Sequence, residues 1–290
     1  MIYLSEFRLP DEKEETGYII SPSAELNMQC YNQFSTYPFK IFPQKGLGGI
    51  EFSDITVFYG LNGCGKSTLL NVISQRLRLY RGTGFNDSPS FGSYLKLCEY
   101  ETAPGKKIPA GSEIITSDGV FDYLLDLRAV NEGVSRRREE IFEEYRDEHS
   151  EEKYGYTLMS LGDYDNFKRH LEANRKTKSQ FTKERMKHLD IPGKSNGETA
   201  FGYFTQRIKE NALYLLDEPE NSISAPLQDE LKRFIYDSAR FYKCQFIIAT
   251  HSPFLLSLPG AKIYDLSETP VAVKRWTELE TVRLYKRLFE

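Results

Sequence analysis

Residues 60–68 read Gly-Leu-Asn-Gly-Cys-Gly-Lys-Ser-Thr: a glycine, four residues, then Gly-Lys-Ser. That spacing suits one chemistry. Glycines let the backbone curl so that its N–H groups converge at the start of a helix, where an anion is welcome. Lys66 is placed to reach the β and γ phosphates of a nucleoside triphosphate, and the Ser67 hydroxyl to bind magnesium. Asn62, Gly63, Cys64, Gly65 and Thr68 complete the cradle. A second segment, Ala212-Leu-Tyr-Leu-Leu216, ends in Asp217-Glu218-Pro219. Successive strand residues point to opposite sides, so two adjacent acids take different tasks. Asp217 is the candidate magnesium ligand, directly or through water. Glu218 is the candidate base that polarises an attacking water. A third segment, Cys244-Gln-Phe-Ile-Ile-Ala-Thr250, ends in His251-Ser252-Pro253. An imidazole there can donate to the γ-phosphate and report its loss.

Elements must hold these groups together. Asp54-Ile-Thr-Val-Phe-Tyr59 is apolar, rich in β-branched and aromatic residues, and reads as a buried strand. Thr68 to Leu77 has apolar residues at helical spacing. Strand, glycine loop and helix is the context a phosphate loop requires. The two later segments read as central strands of a parallel sheet, whose carboxyl ends are where ligands bind. Residues 1–59 are expected to supply antiparallel strands beside the nucleotide, and residues 82–112 loops with short strands. Leu227, Leu231, Phe234 and Ile235 share one face of a helix over Pro226–Arg240. A closing helix is expected over Thr277–Phe289.

The three segments together resemble the ATP-binding-cassette (ABC) class of ATPases, in the branch near the chromosome-maintenance (SMC) and RecF-like proteins. Asn62 within GLNGCGKST is typical of that branch. Leu215-Leu-Asp-Glu-Pro-Glu220, Gln245-Phe-Ile-Ile-Ala-Thr-His-Ser-Pro-Phe-Leu-Leu256 and Ala261-Lys-Ile-Tyr-Asp-Leu266 are similar to the small stand-alone bacterial ATPases labelled AAA family. The resemblance implies an α/β P-loop fold with a mixed central sheet, an N-terminal antiparallel region and a helical insert. It implies ATP and Mg2+ as ligands and a homodimer closed around ATP. It also implies a signature loop that meets the γ-phosphate of the opposite subunit. Ser195-Asn196-Gly197-Glu198 is the match, with Asn for the first glycine of the usual pattern and Glu for its glutamine. Ser195 and Gly197 keep the hydroxyl donor and the close backbone approach. The loop from Glu220 to Ser224 follows, with Ser224 where an aspartate is usual. Asp118 stands where similar ATPases place a magnesium-linked acid or glutamine. Tyr37 and Phe39 are the aromatics of the N-terminal section considered for stacking on adenine; both read as core.

Composition sets the outer bounds. The chain has 290 residues, 40% of them hydrophobic, and no apolar run long enough for a membrane span. A single domain over residues 1–290 is expected. The cysteines at 30, 64, 98 and 244 show neither metal spacing nor a disulfide framework. The first residues are acidic without a signal-peptide core, so a cytoplasmic protein is expected. A net charge of −4 argues against a broad nucleic-acid surface, though not against a local one. Charge is segregated: residues 139–152 hold eight acids against one arginine, and residues 168–188 hold eight Lys or Arg against two acids. Residues 127–190 read as a helical insert, an antiparallel pair. Its basic arm, 168–188, is either half of a self-neutralising pair or a docking surface for DNA or an acidic partner. Three larger roles fit the sequence: control of a separate effector protein, as in phage defence; DNA repair or DNA-end sensing; and, least well, the ATPase subunit of a transporter.

Overall fold

The computed structural model describes residues 1–20, 36–150, 195–221 and 223–290. The chain divides into one compact unit of Met1–Asp122 with Ser195–Glu290 and a second of Tyr123–Lys194. Ten strands and eight α-helices follow in order among the described residues. They are β1 (Leu4–Arg8), α1 (Glu12–Ile20), β2 (Gly49–Glu51), β3 (Ile55–Tyr59), α2 (Lys66–Leu77), β4 (Tyr80–Arg81), α3 (Phe91–Leu97), β5 (Glu99–Thr102) and β6 (Glu113–Thr116). Then come α4 (Ser117–Ser150), α5 (Asn196–Arg207), β7 (Leu213–Asp217), α6 (Ala225–Phe241), β8 (Gln245–Thr250), α7 (Pro253–Leu256), β9 (Lys262–Asp265), β10 (Ala272–Lys274) and α8 (Glu280–Phe289).

The central sheet has seven strands in the order β10-β9-β3-β8-β7-β6-β4. All neighbours run parallel except the edge pair β9 and β10. Every residue of β3, β7 and β8 is buried, as their unbroken apolar runs require of strands covered on both faces. Registers of Tyr59 with Thr250, Asp217 with Ala249 and Thr116 with Asp217 bring the carboxyl ends of β3, β8, β7 and β6 to one edge. Leu69, Leu70, Val72 and Ile73 of α2 are fully buried, so this helix lies with its apolar face in the core. In α6, Leu231 and Ile235 are buried and Leu227 and Phe234 half-buried, the face that its spacing predicts.

The N-terminal region forms a three-stranded antiparallel sheet, β2-β1-β5. Two helices there depart from the sequence expectation. The first, α1, is opened by a capping box: Glu14 N–H donates to Asp11 Oδ1 at 2.7 Å, and Asp11 N–H to Glu14 Oε2 at 2.9 Å. The second, α3, buries Phe91 and Tyr94 within the stretch read as loop. The helix that follows β6 begins at Ser117, ten residues earlier than the expected insert, and continues through Ser150. The second arm, and with it the basic stretch 168–188, lies outside the described residues. Among the described residues, no helix is long and apolar enough to cross a membrane.

Candidate functional site

The loop after β3 owes its path to glycine. A Cβ at Gly60 would collide with Cys64 Sγ, and Gly65 turns into α2 at φ +94°. Left-handed backbone of this kind is nearly free for glycine and costs other residues about 1 kcal/mol or more. Leu61, Asn62 and Gly63 are exposed at the rim of the loop, whereas Lys66 is only 4% exposed. Its ammonium donates to Gly60 O at 2.9 Å and lies 3.5 Å from Glu218 Oε1. In the same turn, the Ser67 hydroxyl donates to Asp217 Oδ1 at 3.0 Å.

Asp217 closes β7, where the sheet buries it. Burial pushes its carboxyl up to about 6, against the Ser67 hydrogen bond and the charges of Arg81 and Lys66, which pull it down. A carboxylate this short of compensation, with a hydroxyl at its side, is a fitting half-site for a hard divalent cation. Among the described residues no group of three or more His, Cys, Asp and Glu is arranged to hold a metal. Ser67 and Asp217 supply two oxygen donors, so a magnesium ion there would need its other ligands from outside the protein. Because the folded state keeps the Asp217 proton longer than the unfolded chain does, this group's contribution to stability falls as pH rises from about 4 through 6. Asp217→Asn should therefore stabilise the nucleotide-free protein by about 1–3 kcal/mol at pH near 8 and by nothing near pH 4. The check is the thermal midpoint at the two pH values; an unchanged or lower midpoint for the variant at the higher pH contradicts the assignment.

Glu218 follows with φ +47°, a left-handed conformation unusual for a residue with a side chain. Its N–H donates to Ala249 O at 2.9 Å, which ties the turn to β8. Asn221 Nδ2 donates to Glu218 Oε2 at 3.2 Å. His251, about half exposed after β8, places Nδ1 4.0 Å from Glu218 Oε1 and 3.3 Å from Glu220 Oε1. The structure thus gathers Lys66, Ser67, Asp217, Glu218 and His251 at adjacent strand ends. Strained backbone of this sort, held by its surroundings, is characteristic of functional turns.

Three comparisons bear on this arrangement. A family model described as "AAA domain, putative AbiEii toxin, Type IV TA system" matches residues 195–257. That span runs from Ser195 through Asp217 and Glu218 to beyond His251. No curated protein matches the chain. Among solved structures it is similar to an Smc head domain with an extended coiled coil from Pyrococcus furiosus, at 14% identity over 100% of both chains and a TM-score of 0.43. It is also similar to an SMC head domain from Thermotoga maritima, at 15% identity over 94% of this chain and 99% of that one, with a TM-score of 0.36. A dimeric ATP-binding cassette bound to ADP and phosphate is similar at 14% identity over 80% of this chain and 90% of that one, with a TM-score of 0.35. The chain itself has an α/β fold with a mostly parallel central sheet, a glycine loop between β3 and α2, and an antiparallel sheet in its N-terminal region.

The remaining sequence candidates lie around this cluster. Ser195 is the N-cap of α5: its oxygen accepts from Glu198 N–H at 3.3 Å, and Glu198 Oε2 accepts from Ser195 N–H at 2.9 Å. The glutamate that departs from the signature pattern thus completes a capping box. Gly197 lies in the first turn of α5. Asp118 is exposed in the first turn of α4, two residues beyond Thr116, which is in register with Asp217. Phe39 is core, packed edge-on against Tyr94. Tyr37 is not: it is half-buried, and its hydroxyl donates to Thr68 Oγ1 at 3.1 Å, beside the phosphate loop.

Arg81 and Glu220 were not foreseen in these positions. Arg81 ends β4, held by Asn71 Oδ1 at 2.6 Å. Burial lowers its affinity for the proton, and Asp217, Asp118 and Tyr37 raise it, so its charge is felt at Asp217. A two-residue strand carries no periodicity, which is why sequence patterning passes over it. Glu220 had a signal, the acid directly after Glu218-Pro219, but its contacts are made across thirty residues of chain.

Proposed function

We propose that this protein binds ATP with magnesium and hydrolyses it, as a homodimer closed around the nucleotide. The observation that carries the reading is the convergence of a buried lysine, a serine–aspartate pair and a glutamate beside a histidine on one edge of the sheet. Magnesium held by Ser67 and Asp217 would neutralise charge on the β and γ phosphates. The backbone N–H groups of residues 62–67 cradle the phosphates at the start of α2. Lys66 exchanges Gly60 O and Glu218 for the β and γ phosphates. Glu218, freed of that ammonium, orients water and takes its proton. His251 contacts the γ-phosphate and registers its departure. Ser195 and the first turn of α5 reach the γ-phosphate held by the other subunit, so ATP binds the two chains together until it is cleaved.

The dimer's work would be control of a separate effector, of the kind found in toxin–antitoxin pairs and phage defence. The family description matching residues 195–257 names a putative toxin of a Type IV TA system, which supports a toxin–antitoxin setting. The deciding experiment is phosphate release from ATP by the full chain, with and without magnesium. Saturable release that chelation abolishes is the expected result. ATP bound without release would remove hydrolysis from the proposal, and no binding of ATP would remove it entirely.

A further inference from the structure

Glu220 has no part in the hydrolytic steps, yet its carboxylate is engaged throughout the histidine loop. Oε1 accepts from the Thr250 hydroxyl at 2.6 Å, from His251 N–H at 2.8 Å and from Ser252 N–H at 3.1 Å. The same oxygen lies 3.3 Å from His251 Nδ1. Oε2 is buried without a hydrogen-bond partner among the described residues, and the residue is 6% exposed. A carboxylate so buried is costly. An anchor for residues 250–252 would need only an acceptor, and a neutral amide oxygen would serve at lower cost. The charge has a use toward the imidazole, whose Nδ1 lies 3.3 Å from Glu220 Oε1 and 4.0 Å from Glu218 Oε1.

We propose that Glu220 is the positioning residue for His251, holding the ring with its proton on Nδ1 and so assigning Nε2 to the substrate phosphate. The catalytic use of this arrangement rests on the ATPase reading; the tautomer does not. Which imidazole nitrogen carries the proton is set by the charges and partners around the ring, and a carboxylate oxygen 3.3 Å from Nδ1 favours the proton on that nitrogen. When Nε2 is also protonated and donates to the γ-phosphate, Glu220 supplies the counter-charge at the opposite edge of the ring. Thr250 and Ser252 are clamped by the same oxygen, so the ring and the loop that carries it are set by one side chain.

The test is nitrogen NMR of the nucleotide-free full chain labelled with 15N-histidine. The sequence holds only four histidines, and a His251→Gln sample identifies the signal. At alkaline pH the neutral His251 ring should be the Nδ1–H form in the wild type. In Glu220→Gln, which keeps an acceptor for the loop, it should move toward the Nε2–H form that a free imidazole favours. That variant should also lose about tenfold in kcat for phosphate release, with KM for ATP within about twofold. A wild-type ring protonated at Nε2, or a tautomer unmoved by the substitution, overturns the proposal. If Glu220→Gln does not fold, the wild-type tautomer alone decides. Because this readout needs no nucleotide, failure of the ATPase proposal, judged by phosphate release, is a separate result.

Discussion

Replacing Glu218 by glutamine is expected to slow phosphate release by about 10²–10⁴-fold while ATP continues to bind. The amide has the size of the carboxylate and leaves the backbone unchanged, so the left-handed turn at φ +47° and the hydrogen bond to Ala249 O persist. What is lost is the group that accepts the proton of the attacking water. Lys66, which lies 3.5 Å from Glu218 Oε1, also loses its ionic partner there. The lysine is then easier to draw onto the phosphates, so ATP should bind at least as tightly as to the wild type. Binding without cleavage should hold the two chains together. Light scattering of Glu218→Gln, with and without ATP and magnesium, is expected to show a monomer becoming a dimer. Turnover within tenfold of the wild type would place the base elsewhere. A variant that binds ATP and stays monomeric would rule out the sandwich.

The candidate site was legible wherever its residues sit in a short stretch of chain. The glycine loop after β3, the acid pair at the end of β7 and the histidine after β8 each stand at the end of a buried strand, and such strands announce themselves as largely apolar runs. Where burial is partial or the contact distant, the sequence was mute. Helix α1 has few apolar residues and a glycine within it, so its periodicity is weak; only the Asp11–Glu14 box betrays it. Tyr37 looks like core until its hydroxyl is found on Thr68. Arg81 acquires meaning from parallel pairing with β6, and Glu220 from three donors on another strand end. These are tertiary facts, created by strand order, and no local pattern encodes strand order.

Lys66→Ala is expected to weaken ATP binding by at least about 100-fold, which is about 2.7 kcal/mol. In the proposed function the ammonium is the cation that meets the phosphates; Gly60 O and Glu218 compensate its buried charge. Removing it acts twice. The phosphates lose a charge-assisted partner. Asp217 loses one of the charges that lower its proton affinity, so a carboxyl already pushed up to about 6 rises further. Magnesium must then displace a more tightly held proton, and the binding defect should deepen as pH falls toward 6. Titration of the variant with magnesium–ATP at pH near 8 and near 6 separates the two effects: the first is present at both, the second grows at the lower value. Arginine at this position would restore charge without restoring reach, because a rigid planar fork does not fit a pocket shaped around a single ammonium. Retained ATP affinity within about threefold of the wild type would break the assignment of residues 60–68 as the phosphate loop. The roles of Ser67, Asp217 and Glu218 around the nucleotide would fall with it.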